Sequence, residues 1–202
     1  MDTTMKNLQL TNLPGIFDDY IEFWHQDPEE YAQEEIELNP IAVELARKNY
    51  LLWHEEDKAR RTDVNDSDIA AVKRAIDKLN QKRNDLIEKL DEAILAYIEK
   101  NRQGEAAPVL NSETPGSIVD RMFIMSLKIY HMREDSERDD IDESHRQRSL
   151  QKTAVLTEQR GDLYNILGIL IDEFIDGKKT MKLYKQFKMY NDPALNPELY
   201  KK

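Results

Sequence analysis

Cysteine is missing from the chain, and with it go disulfide frameworks, thiolate zinc sites and cysteine nucleophiles. A thiol-free chain suits a reducing compartment. Long apolar runs are missing too. A membrane-spanning helix needs about 20 consecutive apolar residues, and the longest run here, Ile166 to Ile171, is far shorter. The opening M-D-T-T-M-K-N-L-Q-L holds no apolar stretch and no small-residue cleavage site, so no secretory signal is expected. Together these absences predict a soluble, cytoplasmic protein. Glycine is scarce, 6 of 202 residues, and β-branched alternating runs do not occur, which argues against a β fold. Positive charge is in deficit. The net charge of −11 argues against nucleic acid as a partner, because such binding needs a basic surface to displace counterions.

What the chain does contain is apolar residues at three- and four-residue steps over long windows, the mark of amphipathic helices. The expected fold is all-α: a single-domain bundle of about five main helices with a short basic C-terminal helix. The first main helix follows Asn12-Leu13-Pro14-Gly15 and carries Ile16, Phe17, Tyr20, Phe23 and Trp24. The second runs from Asn39-Pro40 to near Arg61, with an inner stripe of Ile41, Leu45, Asn49, Leu52, Glu56 and Ala59. The third starts after Asp66 or Ser67 and reaches about Arg102; its stripe includes Ile76, Leu79, Arg83, Leu86 and Leu90 at the alternating spacing of a bundle seam. The fourth opens at Thr114-Pro115, with Thr114 as its cap. The fifth covers Glu143 to Asp176 and stops at Gly177. Gly161 and Gly168 share a face of that helix, which predicts close approach of the fourth helix there. The fourth and fifth helices should form the centre. Residues 1–177 make the bundle domain. Residues 178–202 make a basic tail packed on it, with M-K-L-Y-K-Q-F-K-M-Y as its short helix. The tail has seven lysines against Asp192 and Glu198, a net of +5, which leaves −16 for the body. An anionic membrane surface is the other place such a basic, apolar-flecked segment can lie.

Charges interrupt three of these stripes. The second helix places Asn49 and Glu56 in its seam, beside Trp53; the third places Arg83 there, flanked by Asn80 and Asn84. The fourth is apolar on most sides and still carries Asp120, Arg121 and Lys128. A buried unpaired charge costs several kcal/mol, so these groups must pair or reach water. One arrangement is a polar layer in which Glu56 and Asp120 face Arg83 and Arg121. The plainer account is that cations snorkel and polar seam residues fix helix register. The functional account is a pocket for an anionic or sugar-like ligand. The Thr114-Pro115-Gly116-Ser117 opening favours it, because a helix N-terminus offers free N–H groups and Gly116 lets a ligand near the backbone. The ligand-binding candidates are therefore Asn111, Glu113, Thr114, Asp120, Arg121 and Lys128, with Asn49, Glu56, Arg83 and Asn84 lining the pocket.

Other constellations carry less. Glu22 and His25 form an E-x-x-H pair and Asp142 and His145 a D-x-x-H pair, but a di-iron bundle needs two E-x-x-H helices and two more Glu. No metal is expected. Glu55-Glu56 with Glu88-x-x-Asp91 approximates the magnesium ligands of all-α pyrophosphohydrolases, but Ala59 stands where a carboxylate is needed. His54, in L-L-W-H-E-E-D-K-A-R, is placed for general-base work only if it leaves the surface.

Three stretches resemble an uncharacterised bacterial family, domain-of-unknown-function family 4254. They are N-Y-L-L-W-H-E-E-D-K-A-R with the I-A-A-V-K-R-A-I-D-K-L-N-Q-K-R-N-D-L after it, N-S-E-T-P-G-S-I-V-D-R-M-F-I-M-S-L-K-I-Y-H-M, and Y-K-Q-F-K-M-Y-N-D-P-A-L-N-P. They follow in order over most of the chain. The family usually has Leu-Ser after the Asp-Arg pair, where Met122-Phe123 stands here. The resemblance implies no activity. It implies a genetic neighbourhood of glycosyltransferases for lipopolysaccharide and other surface glycans. The expected function is an accessory or ligand-binding factor in surface-glycan synthesis, with a glycosyltransferase or an anionic sugar as partner. The alternative is an enzyme on a nucleotide or glycosyl phosphate, using Glu56, Glu113 or His54 as acid–base groups. A third reading is a structural adaptor. The exposed seams also allow an oligomer.

Overall fold

Helix starts are set by side chains that accept from the free N–H groups of the first turn. In the computed structural model, which describes residues 2–29, 39–104, 109–185, 187 and 192–200, four main helices begin this way. Asn39 accepts from Ile41, Asn65 from Asp68, Thr114 from Ser117 and Asp142 from His145. Pro40 and Pro115 follow their caps directly, where a missing N–H costs nothing. The helices so started are α3 (Pro40–Lys58), α4 (Asp66–Asn101), α5 (Pro115–Glu137) and α6 (Glu143–Ile175). The shorter α1 (Asp2–Asn7) and α2 (Leu13–Gln26) precede them, and α7 (Pro197–Tyr200) follows. The described residues contain no β-strand, only an isolated parallel bridge between Leu110 and Thr180. The protein is an all-α bundle with five main helices. At about 1.5 Å per residue, α4 alone spans about 50 Å.

α5 is the centre. It packs against α2, α3, α4 and α6, most extensively α6, and buries Ile118, Val119, Met122, Phe123, Leu127 and Ile129. α2 delivers the aromatic part of the core: Phe17 meets Phe123 edge to face at 5.0 Å, and Tyr20 stacks on Trp24 at 5.0 Å. Each such side chain removed from water contributes about 1.5–3 kcal/mol. α3 packs mainly on α4, while α3 and α6 both lean on α5 with little contact between themselves. That gap leaves a groove above α5.

Two packing expectations change. Among the described residues nothing from a neighbouring element lies within 4 Å of a side chain built on Gly161, so of the two glycines only Gly168 is buried; α6 packs chiefly on α5, with Leu167, Leu170 and Phe174 in the core. The basic tail does not begin as a helix. The N–H of Thr180 donates to the Val109 carbonyl at 3.0 Å, and its own carbonyl accepts from Asn111 at 2.8 Å. Residues 181–185, which follow these bonds, adopt no regular secondary structure. Met181 is buried in the core and Lys185 pairs with Glu88 and Glu92 on α4. Gln186 and residues 188–190, the rest of the expected helix, lie outside the described residues. Gly177 does end α6, in a left-handed conformation with φ 71° that glycine adopts without strain.

Candidate functional site

At the start of α5 the protein supplies its own anion. The carboxylate of Asp91 on α4 accepts from the Gly116 N–H at 2.6 Å and from the Thr114 hydroxyl. Burial pushes the Asp91 carboxyl above its ordinary value, and those two hydrogen bonds oppose the shift. A side chain at position 116 would sit 2.8 Å from both the Asp91 carboxylate and the Ile87 carbonyl. Gly116 therefore allows α4 and α5 to touch, and the expected approach of a ligand to this backbone is replaced by that contact. Arg121 is likewise satisfied, pairing on the surface with Glu113. Asn111 donates to the Glu113 carbonyl at 2.6 Å. Asn111 and Glu113 line a cavity of about 490 Å³ that Ile166, Ile169, Leu170 and Glu173 of α6 and Lys179 complete, with Thr114 capping the helix beside it.

The polar layer of the seams forms around Asp120, with different partners from those expected. Asp120 is buried, and Arg83 grips its carboxylate with two nitrogens, Nε at 2.7 Å. Asn49 donates to the same carboxylate at 2.8 Å and to the Leu45 carbonyl at 3.3 Å. The carboxylate beside it raises the Arg83 guanidinium above its ordinary value. Glu56 turns outward to Arg60 instead of facing Asp120. The layer is sealed at Asp120 and open at its outer edge. A cleft of about 270 Å³ is lined by Asn49, Trp53, Glu56, Asp57, Arg60 and Arg83, with Leu52, Ile124 and Leu127 as apolar wall. Asn84 lies on the same helix, half-buried, outside this lining.

Trp53 is the wall between that cleft and the groove above α5. The groove, about 700 Å³, is lined by Trp53, Lys128, Met132, Arg148, Gln151, Lys152, Val155 and Leu156. Lys128 thus stands apart from the other candidates. Of the ten residues singled out from sequence, Asn49, Glu56 and Arg83 line the cleft with Asp120 buried beneath it, Asn111, Glu113, Thr114 and Arg121 gather at the start of α5, Lys128 lines the groove, and Asn84 lies in none of the three.

Sequence reasoning missed the packing behind Trp53. Its indole stacks on His131 at 4.9 Å, and His131 lies with His25 and His54 at ring separations of 5.1, 5.2 and 6.0 Å. Tyr50 and Tyr130 close the cluster. His54 is thus no surface residue: among the described residues the Nε2 atoms of all three rings are buried and have no hydrogen-bond partner. The Nδ1 of His25 lies 2.7 Å from the Ile21 carbonyl, and that of His131 lies 2.7 Å from Glu134. Those acceptors place the proton on Nδ1 in the neutral rings. Burial holds His25 and His54 below the ordinary imidazole value, and the neighbouring rings add to the shift. Among the described residues no group of three or more His or carboxylate side chains is arranged to hold a metal ion. The D-x-x-H pair is a helix cap: Asp142 accepts from the His145 backbone at 2.6 Å, and the His145 ring meets Asp135 at 2.7 Å. The Glu88-x-x-Asp91 pair also divides, Asp91 inward to the α5 start and Glu88 outward to Lys185. No periodicity connects residues 25, 54 and 131, which come from three helices.

Fold and clefts together define an all-α protein with a cleft that charged side chains border and an apolar groove, on either side of one tryptophan. The chain belongs to the family described as "Protein of unknown function (DUF4254)", whose model matches residues 39–183. That span takes in α3 to α6 and the buried start of the tail. No curated protein and no solved structure matches the chain. Among the described residues no helix is long and apolar enough to cross a membrane.

Proposed function

We propose that the protein is a ligand-binding accessory factor in surface-glycan synthesis, and that the cleft beside Trp53 takes a sugar or sugar phosphate. The observation that carries this reading is the make-up of the cleft. An indole edge, an amide, two carboxylates and two guanidinium groups surround a space suited to one small polar group. Amide and carboxylate oxygens accept from hydroxyls, guanidinium groups donate to hydroxyl or phosphate oxygens, and the indole covers an apolar sugar face. The buried Asp120–Arg83–Asn49 bonds fix Arg83 and Asn49 before any ligand arrives, which lowers the entropy lost on binding.

Binding is favoured over turnover because the acid–base groups of the enzymatic reading do not assemble. Glu56 lines the cleft, Glu113 pairs with Arg121 at the start of α5, and His54 is packed behind Trp53. Calorimetric titration with a panel of sugar phosphates and nucleotide sugars tests the proposal. At least one should bind, and Glu56→Gln should weaken it about tenfold while leaving the thermal midpoint unchanged. Absence of binding across the panel would overturn the cleft reading. Turnover of any member with a divalent metal would replace it with the enzymatic one.

A further inference from the structure

The groove on the other side of Trp53 has a different chemistry. Its floor is α5 and its sides are α3 and α6, which lean on α5 without packing together. Met132, Val155, Leu156 and the indole of Trp53 make it apolar, and Val155 is 47% exposed. Lys128 on α5 and Arg148 and Lys152 on α6 stand along it, the two α6 cations one turn apart. Among the described residues none of the three forms an ion pair, Arg148 donates to the Ser144 hydroxyl at 2.7 Å, and no carboxylate lines the groove. On a chain of net charge −11, that is a local excess of unspent positive charge on an apolar slot. Lysine and arginine stems extend such a slot while their heads stay in water.

We infer that this groove binds a single-chain amphiphile with a phosphate head, of the prenyl or alkyl phosphate class. Its volume of about 700 Å³ falls within the range of about 300–1,000 Å³ that encloses small ligands. The apolar walls take the chain. Three cations match a phosphate monoester, which carries about −1.5 to −2 charges at neutral pH, better than a singly charged carboxylate. The head meets the three cations, and the chain lies against Met132, Val155, Leu156 and Trp53.

This site is separate from the sugar cleft and is tested separately. The full chain is titrated calorimetrically with farnesyl monophosphate, farnesol, inorganic phosphate and phosphatidylglycerol vesicles. Farnesyl monophosphate should bind, with farnesol and inorganic phosphate each weaker by about tenfold or more. The double variant Lys128→Gln/Lys152→Gln should lose about tenfold in farnesyl monophosphate affinity at an unchanged thermal midpoint, both side chains being exposed. Equal affinity for farnesol, or no effect of the double variant, would overturn the inference. So would binding to the vesicles alone, which would make this face a membrane contact. Glu56→Gln should leave farnesyl monophosphate binding intact, so a failed sugar cleft and a failed groove give different results.

Discussion

Asp120 shows how one charge is made tolerable inside a helical core. It is buried, yet its oxygens are met by both forks of Arg83 and by Asn49, so neither carboxylate nor guanidinium is left unpaired. Removing one partner strands the other. Asp120→Ala should cost about 3–5 kcal/mol in urea unfolding. Replacing the pair together, Asp120→Leu with Arg83→Leu, should recover most of that loss, because no orphaned charge remains. A double variant as unstable as the single would show that the pair contributes more than mutual satisfaction. The histidine cluster makes the opposite case, polar atoms buried with nothing to bond. His25 and His54 lie below the ordinary value of 6.5 chiefly through burial, so in the unfolded chain they take protons at a higher pH than in the folded one. The unfolded state then binds more protons, so this contribution is complete above about pH 6.5 and is lost as the pH falls below it. The urea midpoint should therefore be lower at about pH 5.5 than at about pH 7.5, and His54→Phe should flatten that difference. A wild-type midpoint equal at the two pH values would contradict the buried-histidine account.

Between elements, the contact of α4 with the start of α5 is the most demanding. Asp91 caps a helix that is not its own, and Gly116 is the residue that allows it to come close. Gly116→Ala should destabilise by about 1–3 kcal/mol, since the added methyl meets a backbone carbonyl that cannot swing away. Asp91→Ala should cost about 1–3 kcal/mol by leaving the Gly116 N–H unsatisfied. Asp91→Asn should be milder, because it keeps an acceptor oxygen and removes a buried charge. Equal losses for the Ala and Asn variants of Asp91 would rule out the capping role. The helix starts at Pro40, Pro115 and Glu143 were legible because start signals lie in adjacent residues, while α4 starts at Asp66, ahead of the expected start, because its cap is Asn65. Local signals of that kind are written contiguously. The Thr114-Pro115-Gly116-Ser117 opening announced its helix correctly, but the group it receives comes from α4, and nothing near Gly116 names Asp91. Gly161 failed for the same reason in reverse: a seven-residue glycine spacing defines a face without saying what lies against it. In the seams, the polar groups of Asn49, Arg83 and Asp120 could be seen as misplaced because they interrupt apolar stripes. Their pairing required the rotation of three helices, which a stripe does not fix. Glu56 and Arg121 occupied equally odd positions and turned outward. His25, His54 and His131 were invisible as a group because each looked ordinary in its own helix.

Across the whole molecule the charge is segregated, and the fold uses that segregation to hold its end. The body carries −16 and the last stretch +5. They meet at Lys179, 2.8 Å from Glu173, at Lys178, 2.7 Å from Asp176, and at Lys185, 3.2 Å from Glu88 and 2.7 Å from Glu92. Next to them, Met181 is anchored in the core, and the Leu110–Thr180 bridge ties the tail to the segment that leads into α5. The tail is thus attached to both long partners of the central contact, α4 through charge and the α5 approach through backbone hydrogen bonds. The two attachments differ in kind. Burial of Met181 is insensitive to salt, while an exposed ion pair contributes about 0–1 kcal/mol and is screened within about 8 Å at physiological ionic strength. Lys185→Glu places a third carboxylate beside Glu88 and Glu92 and should repel the tail locally. Hydrogen exchange at the Thr180 and Asn111 amides, which close the bridge at 3.0 and 2.8 Å, reports on that directly. Exchange at both should be faster in Lys185→Glu than in the wild type at low salt, with the gap narrowing as salt is added. Global stability should fall by less than about 1 kcal/mol, since the core anchor remains. A gap that does not narrow in salt would mean that packing of the lysine stem, and not charge, holds the tail at this point. Amides that exchange at the wild-type rate would mean that Met181 and the bridge hold it without help from Lys185.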